Sequence, residues 1–313
     1  MTTQTLTDTL RSLQPKEMTW RFALYSAQKS RDGLTLEWQH CKMVGTADWA
    51  DTIRTALLEK TTVEKTVSAY SPFLSDKESI AAVERGSELV KEKIDAILSD
   101  IKSCPAHAPE DFVSGVLPKT TGFAFFGEGE DMEGQPLQIL FMKRGNPFLS
   151  GARTRLCTSK GDEIVTAEKP ILKFAPAVDF IYIGEVCYFN SSAIEKDFDI
   201  ESRHLGIAAR YMQKVAAAEI VSDYEQLEAA VMSAKHAKKF VDFDSKILEH
   251  ITRMGIASRE EFLLTYGITI DTNGSMDTAD PEQCELIIDL LCCRSCLDPL
   301  GRLSTGSNIT PRE

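Results

Sequence analysis

The chain has 313 residues, 43% of them apolar and 26% charged, enough for one large folded domain or two ordinary ones. Its net charge of −12 repels phosphate over most of the surface, which excludes indiscriminate nucleic-acid binding and leaves room only for a concentrated basic patch. No apolar run approaches the roughly 20 residues that span a bilayer.

The start, Met1-Thr-Thr-Gln-Thr-Leu-Thr, lacks the basic and apolar stretches of a secretory signal, so a cytoplasmic location is expected. In chain order, Trp20 to Tyr25 and Leu34 to Gln39 read as a hairpin with turn chemistry at Asp32-Gly33. Ala47 to Thr61 reads as a helix. From Ser75 to Ile101 a capping pair, Ser75 and Glu78, precedes Ile80, Val83, Val90, Ile94, Ile97, Leu98 and Ile101 at helical spacing, which predicts one long helix. Pro105 and Pro109 mark a connection.

Between Val116 and Asn190 the period changes to two. Phe123–Phe126, Leu137–Met142, Thr154–Cys157, Glu163–Thr166, Ile171–Phe174, Phe180–Ile183 and Val186–Phe189 are predicted strands. With no helical stretch between them, their sheet should be mostly antiparallel. Beyond Asn190 the pattern is helical, over Arg203–Val221, Tyr224–Phe240, Ser245–Met254, Ser258–Tyr266 and Pro281–Leu297, with a frayed end. The expected fold class is α+β in three regions: an N-terminal α/β part (1–115), an antiparallel sheet with a basic hairpin (116–190) and a helical part (191–313). Their net charges are −3, −1 and −8.

Catalytic signatures are missing. There is no phosphate loop, nucleophile elbow or H-E-x-x-H, and Gly127-Glu-Gly129 lacks the third glycine of a dinucleotide fingerprint. No metal or cofactor is expected, and the chain does not read as an enzyme. The alternative is a degenerate metal-dependent nuclease using Asp179 and Glu185 on consecutive strands.

The eight cysteines have no framework spacing and read as reduced thiols. Cys292, Cys293 and Cys296 fall on one predicted helix, without the second ligand pair that structural zinc requires. Asp271, Asn273, Ser275, Asp277 and Glu282 match ligand positions of a calcium loop, but Met276 stands where its glycine belongs. An acidic turn around Asn273-Gly274 that caps the next helix is the simpler reading.

Positive charge does cluster. Lys143, Arg144, Arg153, Arg155 and Lys160 lie between Gly134 and Gly161, where there is no Asp or Glu. A loop over Gly145–Gly151 joining two strands would let both basic ends face one way, with guanidinium forks suited to phosphate. The competing reading pairs this hairpin with Glu128, Glu130, Asp131 and Glu133. A second cluster, Lys235, Lys238 and Lys239, ends a predicted helix, where basic residues also complement the helix dipole.

The order Ile139-Leu-Phe-Met-Lys-Arg, Leu172-Lys-Phe-Ala-Pro-Ala-Val-Asp-Phe-Ile-Tyr-Ile, Cys187-Tyr-Phe-Asn, Ala237-Lys-Lys-Phe and Leu290-Leu-Cys-Cys-Arg-Ser-Cys-Leu-Asp-Pro-Leu-Gly covers two thirds of the chain. In this order it resembles the bacterial KwaB family of the Kiwa anti-phage defence system. It departs from the family pattern at Ile194-Glu195, where a Phe-Glu pair is usual. The resemblance implies a cytoplasmic effector that binds double-stranded phage DNA and acts at the membrane with a multi-pass partner of the same system. Lys143, Arg144, Arg153, Arg155 and Lys160 would be the phosphate contacts, with Lys235, Lys238 and Lys239 behind them. A homodimer is expected. The remaining alternative is a scaffold whose acidic helical half docks a membrane protein.

Overall fold

Alternating apolar residues from Thr19 onward build the frame of a sheet. The computed structural model describes residues 3–30, 33–41, 43–63, 65–73, 78–104, 106–107, 120–131, 133–145, 157–160, 163–166, 174–297 and 303–305. In chain order the first elements are α1 (Thr3–Ser12), β1 (Thr19–Ser30), β2 (Gly33–Cys41), α2 (Thr46–Val63), β3 (Thr66–Ala69), β4 (Ser79–Glu84) and α3 (Lys91–Ser103). There follow β5 (Ala106–His107), β6 (Gly122–Glu130), β7 (Pro136–Arg144), β8 (Cys157–Lys160), β9 (Glu163–Thr166), β10 (Phe180–Ile183) and β11 (Val186–Phe189). Nine of these strands form one sheet in the order β3-β4-β11-β10-β7-β6-β1-β2-β5. Its six inner pairings, β4 through β2, are antiparallel, and only the outer pairs β3–β4 and β2–β5 are parallel. The α+β class with a mostly antiparallel sheet therefore stands. Strands from 1–115 and from 116–190 share this sheet, and the chain divides instead into a unit of residues 1–70 and 74–200 and a unit of residues 71–73 and 201–313.

The predicted N-terminal hairpin is present, with register running from Phe22↔Cys41 to Ser30↔Gly33. The single helix expected over Ser75–Ile101 is not. Ser79–Glu84 is a buried strand, and Arg85 and Gly86 turn the chain into α3. Ile80-Ala-Ala-Val83 is a continuous apolar run, which fits a strand buried on both faces as well as a helix, so spacing alone misassigned it. One face of the sheet packs against α1 and α2, joining Leu6, Leu10, Ile53 and Leu57 to Phe22, Phe125, Phe141 and Ile181. The other carries α3, where Lys102 lies over the Phe126 ring at 5.8 Å.

The second unit is helical: α4 (Ile200–Ala218, its first residue in the sheet unit), α5 (Tyr224–Val231), α6 (Ala234–Ala237), α7 (Ser245–Arg253), α8 (Ile256–Leu264) and α9 (Pro281–Leu291). A short pair of strands, β12 (Ser295–Leu297) and β13 (Leu303–Thr305), follows. The helix expected over Tyr224–Phe240 is broken into α5, α6 and a 3₁₀ turn at Lys238–Asp242. Asp223, Asp244 and Asp280 cap α5, α7 and α9 by accepting from backbone N–H groups. The helix expected to reach Leu297 stops at Leu291, because Cys293 adopts φ +55°. The N–H of Cys293 then bonds Leu290 and that of Arg294 bonds Asp289, the Schellman closure. Thus Cys296 lies on β12 rather than on the helix of Cys284. Asp271 spends one carboxylate oxygen on the N–H groups of Asn273 and Ser275 at a turn, and it is Asp280 that caps α9. Among the described residues, no helix is long and apolar enough to cross a membrane.

Candidate nucleic-acid interface

β7 runs through the middle of the sheet and ends in Lys143-Arg144. Successive side chains on a strand point to opposite faces. Lys143 is in phase with Phe141 on the α1/α2 face, and Arg144 is in phase with Met142 on the α3 face. The two cations of the predicted patch therefore leave the strand in opposite directions. One carboxylate ties them together: Lys143 Nζ donates to Asp179 Oδ1 at 2.7 Å, and the backbone N–H of Arg144 donates to Asp179 Oδ2 at 2.8 Å.

Asp179 is held by the sheet. It sits one residue before β10, its N–H bonds Met142, and its carbonyl accepts from Asn190 and Ser191. The Asn190 side chain donates to Val178, and the buried Lys65 ammonium donates to both oxygens of Asn190. Lys65, Asp179 and Asn190 are all buried, so each charge or dipole needs these partners.

On the α3 face, Arg144 Nη1 donates to the Ala193 carbonyl at 3.1 Å and lies 3.2 Å from Asp197 Oδ1. The second contact is ionic, since Oδ1 receives no aligned hydrogen bond among the described residues. Asp197 Oδ2 accepts from the Tyr25 hydroxyl at 2.7 Å, and Asp197 is fully buried. Burial raises the Asp197 pKa above the ordinary carboxylate range, opposed by the Tyr25 hydrogen bond and the Arg144 charge. Burial also pushes the Tyr25 phenol far up, reinforced by the Asp197 charge. Tyr25 reaches Asp197 across Gly122, where an added Cβ would stand 2.3 Å from the Lys143 carbonyl and 2.5 Å from the phenol oxygen.

The other sequence-predicted contacts divide. Arg153 and Arg155 lie outside the described residues. Lys160 ends β8, paired in register with Glu163 of β9, and its side chain is outside the described residues. Among the described residues β8 pairs with β9 and not with β7. The loop and strand expected from Gly145 to Cys157 lie, but for those two end residues, outside the described residues. Nor do the acids of the β6–β7 turn offset Lys143 and Arg144. Glu130 pairs with Pro136 at one end of the ladder and Gly122 with Arg144 at the other. At about 3.3 Å per residue the two ends are roughly 25 Å apart.

In the helical unit, Lys235 bonds Glu285 at 2.7 Å and Lys239 bonds Asp289 at 2.5 Å. Lys238 stands 4.6 Å from the centre of the Phe73 ring. The Lys235 hydrogen bond holds the Glu285 carboxyl below its ordinary range. Lys235 and Lys239 thus answer acids of α9 rather than a helix end, since α6 is a single turn.

Asp179 and Glu185, the carboxylates of the nuclease alternative, flank β10 at its two ends, roughly 20 Å apart by the strand rise. They do not share a metal. Among the described residues, no group of three or more His, Cys, Asp or Glu side chains is arranged to hold a metal ion. Sequence reasoning missed Tyr25, Lys65, Gly122, Asn190 and Asp197 as partners of the basic pair. Tyr25 and Asp197 are 172 residues apart, and no local pattern links them. No family model, curated protein or solved structure matches the chain.

Proposed function

We propose that the chain binds duplex DNA through backbone phosphates, as the cytoplasmic DNA-binding subunit of a two-component anti-phage system that acts with a multi-pass membrane partner. The observation that carries this reading is the run from Gly134 to Gly161, which has five cations and no acid in a chain of net charge −12. Phosphate contacts of this kind position a protein without reading bases, so binding is expected to be indifferent to sequence. Lys143 and Arg144 are anchored by Asp179 and Asp197, and Arg153, Arg155 and Lys160 are the remaining cations of a run that holds no acid. Lys235, Lys238 and Lys239 have protein partners in place, which argues against them as a second line of contacts. The acidic helical unit suits docking on a basic face of the membrane partner, and a homodimer remains part of the proposal.

The test is duplex binding by Arg153→Glu/Arg155→Glu protein. Reversal at Arg144 would also strand the buried Asp197 charge and confound folding with binding. Loss of affinity with an unchanged melting temperature supports the reading; no duplex binding by the native protein rejects it, and unchanged affinity of the variant removes Arg153 and Arg155 from the contacts.

A further inference from the structure

The Arg144 guanidinium is used at one end only. A guanidinium carries five N–H donors in a planar fork. Here Nη1 faces the Ala193 carbonyl and Asp197 Oδ1. Nε and Nη2, the edge that grips an oxyanion with two parallel bonds, have no partner among the described residues, and the side chain is 30% exposed. The partners of the held end are themselves fixed. Asp197 is fully buried and fixed by Tyr25, and the Arg144 backbone is fixed by Asp179.

We infer that Asp197 is a positioning residue that grips one end of Arg144 so that its Nε/Nη2 edge is presented to a single backbone phosphate of a nucleic acid. This rests on the proposed DNA binding and adds a defined subsite to it. An arginine fixed in advance loses less side-chain freedom on binding than a free one, which offsets the negative charge beside it. Two opposite signs follow for Asp197→Asn. A purely electrostatic account has duplex bind more tightly once a negative charge is removed. The positioning account has it bind more weakly, because Arg144 is released.

Duplex affinity is to be measured by fluorescence anisotropy for Asp197→Asn and Arg144→Lys, at a temperature well below both melting points. Weaker binding by Asp197→Asn is expected, and Arg144→Lys, which keeps the charge but loses the fork, should bind about tenfold more weakly. In arginine-selective NMR of the native protein, the Nε–H resonance that vanishes in Arg144→Lys should shift when a short duplex is added. Tighter binding by Asp197→Asn, or a stationary Arg144 resonance while other arginines shift, overturns the inference and leaves DNA binding intact. If Arg153→Glu/Arg155→Glu binds as well as native protein while Arg144→Lys does not, the subsite stands and the role of Arg153 and Arg155 falls.

Discussion

The Tyr25 hydroxyl donates to Asp197 Oδ2 at 2.7 Å, joining the first strand of the sheet to the turn that follows its last. Both residues are buried, so the bond leaves no water to replace it. Tyr25→Phe removes the donor and leaves a buried carboxylate short of a partner. A loss of about 1–3 kcal/mol is expected in denaturant melts, with the slope unchanged. A loss within error would mean that Asp197 finds another donor.

Gly122 is the steric counterpart of that bond. Any side chain there meets the Lys143 carbonyl and the Tyr25 phenol inside contact distance. Gly122→Ala should therefore destabilise by more than Tyr25→Phe. A double substitution, Gly122→Ala/Tyr25→Phe, should cost less than the sum of the two, since the phenol oxygen is one of the clashing atoms. Additive losses would show that the backbone contact alone matters.

Lys235 and Lys239 of the helical unit separate by burial. The Lys239 and Asp289 side chains are 11% and 12% exposed, whereas Lys235 is 65% exposed. Lys239→Ala should cost about 3 kcal/mol by leaving Asp289 uncompensated. Lys235→Ala should cost less than about 1 kcal/mol. Neither should change duplex affinity. Weakened DNA binding by Lys235→Ala would return this cluster to the interface.

His204 is buried, and burial together with the Lys238 charge lowers its pKa from 6.5 to about 4. The folded state thus disfavours the proton that the unfolded chain takes up at its ordinary value. Stability from this group is present above pH 6.5 and is lost as pH falls from there to about 4. His204→Gln should flatten that part of the acid-stability profile. An unchanged profile would place the acid sensitivity elsewhere.

The central strands were legible in the sequence because Phe123–Phe126, Leu137–Met142, Phe180–Ile183 and Val186–Phe189 combine strand-forming residues with close turn signals. Ser79–Glu84 was not, because a strand buried on both faces has no alternation to read. The break after Leu291 depends on Cys293 in a left-handed conformation, which glycine usually occupies and cysteine does not announce. The charge run was legible as composition, but its geometry was not. Lys143 and Arg144 are adjacent in sequence and opposed across the sheet, and their counter-charges come from residues 179 and 197 through tertiary pairing.

The salt dependence of duplex binding tests the central claim most directly. Plotted as log affinity against log salt concentration, each phosphate contact contributes a slope of about −0.9. The native protein should show a slope of several such contacts, equal on duplexes of unrelated sequence, and Arg153→Glu/Arg155→Glu should lower it by about two contacts. A slope near zero, or one that the double substitution leaves unchanged, would contradict phosphate binding by this segment.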